Sequence, residues 1–140
     1  MCNALKNSFV IAVFLTILTG CAKGESDRIT TIQRLGRAME YTNQATKILN
    51  RGSAFMSVDE SEMREVKRLW AQALAETRQI DYAILDKEEP RFGQKCRDQF
   101  LEGLRLCVEG DGQGDFVKGQ LLMSEFSDEY SRVLAKKKRR

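Results

Sequence analysis

The chain has 140 residues, a formal net charge of +3 and no histidine. That length suits one domain with a modest core, and the missing histidine excludes imidazole metal ligands, histidine-activated nucleophiles and histidine-ligated haem. Charge is unevenly placed: residues 21–135 carry 17 Lys and Arg against 20 Asp and Glu, and the cationic run Lys136-Lys137-Lys138-Arg139-Arg140 follows.

At the start, Lys6 precedes an apolar run from Phe9 to Leu18. About ten residues is half of what a bilayer span needs, so the pattern reads as a secretory signal. It ends in Leu18-Thr19-Gly20-Cys21. An aliphatic residue, two small ones and a cysteine resemble the lipobox of bacterial lipoproteins. The resemblance implies cleavage between Gly20 and Cys21, with residues 1–20 removed and acyl lipid carried on the Cys21 sulfur. That lipid is the sole cofactor expected. Ala22 in place of the Asp that retains such proteins at the inner membrane implies the outer membrane, facing the periplasm. Lys23 leaves the inner membrane open, and a cell without an outer membrane would display the chain on its surface.

Residues 21–25 are expected to be a tether and residues 26–135 an all-α domain, a small antiparallel up-and-down bundle of three or four helices. The first helix is predicted from Ser26 to Leu49, with Ser26 or Asp27 as its N-cap and Ile29, Ile32, Leu35 and Met39 on one face. The second opens on Ser57-Val58-Asp59-Glu60, a capping-box pattern, and runs through Met63, Val66, Trp70, Ala73, Thr77 and Ile80 to Ile84. Pro90 is placed in the first turn of a third helix carrying Phe92, Cys96, Phe100, Leu104 and Cys107. After the glycines of 110–114, a fourth helix carries Phe116, Met123, Phe126, Tyr130 and Val133.

Cys96 and Cys107 lie eleven residues apart. On one straight helix that is about 16 Å, too far for a disulfide, which needs Cα atoms within about 7 Å. Three outcomes stay open: two core thiols, an intrachain bridge if the helix breaks near Gly103, or a bridge between two chains. Two cysteines without histidine make no zinc site. The stretch from Glu109 to Gln120 invites comparison with a calcium loop through Asp111, Gln113 and Asp115, but Gln120 stands where that loop needs a bidentate Glu. A solvated interhelical turn accounts for it, and no metal is expected. Trp70 and the other aromatics, at helical spacing, read as core.

The sequence therefore points to a non-catalytic, lipid-anchored module that binds, tethers or escorts a protein partner in the cell envelope. Pilotins, small helical lipoproteins that escort secretion-channel subunits, are of this type, although no motif in the mature chain carries that resemblance. The alternative is a ligand or ion binder using the bundle interior or the acidic loop 109–115. An exported chain rarely meets nucleic acid, so none is expected as partner. The tail 136–140 is either a solvated helix end or a contact to an anionic surface. An even number of antiparallel helices would return it to the chain's anchored start.

Overall fold

The computed structural model describes residues 22–52 and 58–139, which are all-helical, with no strand. Helix α1 spans Ala22–Gly52, α2 Glu60–Thr77 and the short α3 Tyr82–Glu88. Helix α4 is one continuous run made of Phe92–Lys95, a π-helical turn Cys96–Leu101 and Glu102–Glu109, and α5 spans Gln113–Lys138. Four long helices form the bundle, and α3 is a fifth, bridging element. Arg34 and Arg37, in the first half of α1, meet Glu76 near the end of α2, so these two run antiparallel. Lys95 and Gln99 of α4 meet Glu129 and Glu125 of α5, which makes a second antiparallel pair.

Helix α2 begins at a true capping box, but one residue pair along from Ser57 and Glu60. Asp59 accepts the Glu62 backbone N–H, and the Glu62 side chain accepts the Asp59 N–H. The long second helix expected from periodicity is corrected here, because it stops at Thr77. The buried Thr77 hydroxyl donates to Ala73 O, and Thr77 O accepts the Ile80 N–H, three residues on, at 3.2 Å and the Tyr82 hydroxyl at 2.7 Å, with no N–H four residues on. Ile80 turns into the core, and Asp81 caps α3 by accepting from Ala83 and Ile84. Periodicity alone passes over this break, since Thr77, Ile80 and Ile84 keep the helical rhythm across it.

Pro90 is likewise corrected: it lies in the turn before α4, not inside it. Arg91 takes the left-handed conformation (φ 67°), and the first amides of α4 are capped from α3, with Asp86 accepting from Gly93 and Gln94. The π turn answers a problem written in the sequence. Phe92, Cys96, Phe100 and Leu104 recur every four residues, and in an α-helix each such step overshoots a full turn by about 40°. A stripe of three such steps would wind away from the core. The wider π turn absorbs the excess, so all four side chains, and Cys107 after them, are buried.

The core joins all five helices. Trp70, Phe92, Phe100 and Phe126 are at most 1% exposed. Phe126 stacks between Phe92 (5.5 Å) and Phe100 (5.0 Å), and Trp70 meets Phe116 edge-on at 5.5 Å, tying α2 to α5. Such ring pairs contribute roughly 0.5–1.5 kcal/mol each beyond their buried area. Gly103 and Gly119 let α4 and α5 touch backbone to backbone. A Cβ on Gly119 would lie 2.6 Å from both Gly103 O and Cys107 Sγ.

Candidate functional site

Opposite charges gather where the described start of α1, the end of α3 and the last described turns of α5 meet. Glu88, the last residue of α3, accepts from both the Nε and Nη2 of Arg28 on α1, and from Lys137 Nζ on α5 at 2.6 Å. Beside it Glu89 accepts from Lys136 at 2.7 Å. The side chains of Glu88 and Lys137 are only 12% and 15% exposed. Burial works against the Glu88 charge, but the hydrogen bonds of Arg28 and then Lys137 outweigh it and hold the carboxyl below its ordinary range. Two helical turns back on α5, Arg132 and, after the opposing burial, Lys95 hold Glu129 at about 2. Exposed Lys138 and Arg139 complete the end, at a helix C-terminus that suits cations.

This alters the picture of the 136–140 segment. It is not a separate tail: α5 continues through Lys138, and Lys136 and Lys137 are engaged by α3. The chain end does return beside the start of α1, because Arg28 and Lys137 share one carboxylate. Arg140, Cys21 and the signal segment lie outside the described residues. So does Ser57. Helix α1 already begins at Ala22, which places residues 22–25 of the expected tether in the helix, ahead of the expected Ser26 and Asp27 caps. It also runs on to Gly52, past the expected end at Leu49.

Cys96 and Cys107 are both free and buried, and the helix between them is unbroken. Gly103 is a contact glycine here, not the breakpoint that a bridge would need. The Cys107 thiol donates to Phe116 O at 3.7 Å, and burial pushes it up to about 11; burial raises the Cys96 thiol further. Neither is a ready thiolate nucleophile. Iodoacetamide is therefore expected to leave both unmodified in the folded protein and to label both in urea, read by mass. A Cys96–Cys107 linked peptide in a non-reduced digest would contradict this.

The calcium-loop comparison also fails on geometry. Helix α4 runs to Glu109 and α5 starts at Gln113, so three residues connect them where a calcium loop needs about twelve. Glu109 pairs with Arg78, and Asp115 turns back to accept the Asp111 N–H. Among the described residues no three His, Cys, Asp or Glu gather as a metal site, and no helix is long and apolar enough to cross a membrane.

What sequence reading missed is the Glu88–Glu89 pair as the anchor for the C-terminal cations. The signal was present as two complementary blocks, Glu88-Glu89 and Lys136-Lys137, but nothing local says that residues so far apart in the chain meet. Comparison with protein-family models, with curated proteins and with solved structures finds no match for this chain.

Proposed function

We propose that this chain is a cell-envelope lipoprotein, anchored by acyl chains on Cys21, whose helical bundle binds a protein partner in the envelope without catalysing a reaction. The observation that carries the reading is Leu18-Thr19-Gly20-Cys21 at the end of a short apolar run, followed by residues that are helical from Ala22 on. Acyl chains contribute about 0.8 kcal/mol per buried CH₂, so more than one makes a stable anchor. Arg28 stands about 9 Å along α1 from Ala22, the residue after the acylated cysteine, and it shares the Glu88 carboxylate with Lys137. On this reading the last cations of α5 lie at the anchored end of the bundle. Each cation near an anionic surface adds about 1 kcal/mol at most, and less for Lys136 and Lys137, which already hold carboxylates.

Binding is favoured over catalysis by how the reactive groups are used. Glu76, Glu88, Glu89 and Glu129 are held by Arg or Lys, and both described thiols are buried. The test is Cys21→Ser in the full-length chain. The unmodified chain should be recovered as an acylated protein beginning at residue 21, whereas the variant should remain unacylated and uncut. A mature N-terminus at residue 21 in the variant would refute lipidation. If the anchor holds, crosslinking in intact envelopes should give one defined complex, and recovery of the chain alone would argue against the partner.

A further inference from the structure

The end of the bundle where α3 meets α5 holds more cations than its carboxylates satisfy. Three carboxylates, Glu88, Glu89 and Glu129, accept from five cations, Arg28, Lys95, Arg132, Lys136 and Lys137. Around this knot stand four more. Lys87 and Arg91 flank Glu88 and Glu89 in the chain, and Lys138 and Arg139 follow Lys137. All four are exposed, and their side chains make no hydrogen bond or ion pair among the described residues. Asp86, close by in α3, is engaged in capping α4. Glu25 and Asp27, on the first turns of α1, are the acids that oppose the four. Lys136 and Lys137 fix the end of α5 against α3, so the free cations belong to one rigid end.

Helix α5 is also polarised along its length. Asp115 lies in its first turn, with Glu109 and Asp111 just ahead, and Lys136, Lys137 and Lys138 occupy its last. These groups stand about 35 Å apart along the axis. An anionic surface attracts one end of such a body and repels the other, which orients the domain as well as binding it.

The arrangement selects the kind of anion. A single small anion needs donors that converge and are held in place, whereas these four side chains come from α3, the turn before α4 and the end of α5, with no common partner. Each cation near an anionic membrane strengthens attachment by about fivefold at most, so firm attachment needs many negative groups at once. We propose that this end of the bundle docks on the anionic headgroups of a lipid bilayer through Lys87, Arg91, Lys138 and Arg139, holding the start of α5 away from the membrane. The inference rests on the envelope reading for the presence of a bilayer and is independent of acylation at Cys21.

The test uses the full-length chain carrying Cys21→Ser, so that no acyl chain contributes. Its partition is measured by sedimentation onto vesicles of phosphatidylcholine alone and of phosphatidylcholine and phosphatidylglycerol in equal parts. The apolar run from Phe9 to Leu18 and Lys6 are the same in every variant and cancel between them. The anionic-to-neutral ratio should be roughly a hundredfold, and about 1 M salt, with a screening length of about 3 Å, should bring it close to one. Lys138→Gln with Arg139→Gln, and separately Lys87→Gln with Arg91→Asn, should each lower the ratio roughly tenfold. Asparagine tolerates the left-handed backbone at position 91. Lys47→Gln with Lys67→Gln removes the same charge from exposed sites on α1 and α2 and should change the ratio by less than about twofold. All variants should keep the helical circular dichroism, and two separate end pairs keep the test decisive should one disturb folding. The proposal is overturned by a ratio near one, by end pairs that lower it no more than the Lys47 and Lys67 pair, or by a preference that survives high salt. Soluble polyglutamate binding the chain as tightly as the anionic vesicles would assign this end to an acidic protein instead.

Discussion

Gly119→Ala is expected to destabilise the domain by about 2 kcal/mol, although alanine is the better helix former by about 1 kcal/mol. The new methyl would sit 2.6 Å from Gly103 O and Cys107 Sγ and 3.2 Å from Cys107 N. Two of those three atoms are backbone, so rotating a side chain cannot relieve the clash, and α5 must move off α4. The Phe92–Phe126–Phe100 stack spans the same two helices and resists that separation. Gly103→Ala should behave alike, since its Cβ would lie 2.8 Å from Gly119 O. Gly114, in the first turn of the same helix, has open space around its Cβ position. Gly114→Ala should therefore stabilise by up to about 1 kcal/mol through reduced chain entropy. Urea midpoints of the three variants decide the matter. If Gly119→Ala and Gly114→Ala shift the midpoint in the same direction, the close helix contact is wrong.

Glu88→Gln is expected to cost about 2 kcal/mol at neutral pH, because the carboxylate lying between Arg28 and Lys137 is lost while both cations stay largely buried. The figure sits below the 3–5 kcal/mol of a fully buried pair because Arg28 keeps 22% of its side-chain exposure. The pH dependence has a definite sign. The folded-state carboxyl lies below its ordinary value of 4.5, so folding favours the ionised form. Its contribution is present above the unfolded value and is lost as pH falls through the folded one. Glu129, held at about 2 by Arg132 and Lys95, acts in the same direction at lower pH. The unmodified protein should therefore lose stability as pH drops below about 4.5, and Glu88→Gln should flatten the upper part of that loss. A variant whose stability runs parallel to the unmodified protein from pH 7 to 3 would show that the Arg28–Glu88–Lys137 cluster adds nothing.

The departures from sequence expectation share one cause. Ile80 and Ile84 fit the stripe of α2, yet the chain turns between Thr77 and Tyr82, because the Tyr82 hydroxyl and the Asp81 cap stabilise an ending that periodicity does not register. Gly103 looks like a weak point in α4 when only helix propensity is weighed. Against α5 it is the residue that permits contact. The four-residue spacing of Phe92, Cys96, Phe100 and Leu104 was a readable sign of helical overshoot, and the π turn is its structural answer.

Local chemistry by itself determined that the described residues form an all-helical domain, many of the side chains in its core and, to within a few residues, where most helices lie; Leu69, Leu74 and Leu85, buried off the predicted stripes, escaped it. The 3.6-residue period and the caps act over one or two turns, and both are visible in the order of residues. The ion-paired end and the joining of the core were decided only by tertiary packing. Glu88 and Lys137 stand 49 residues apart, and Trp70, Phe100 and Met123 come from three different helices. Which of many compatible faces meet depends on the fit of the whole core, where burial is non-directional and shape complementarity selects a single arrangement.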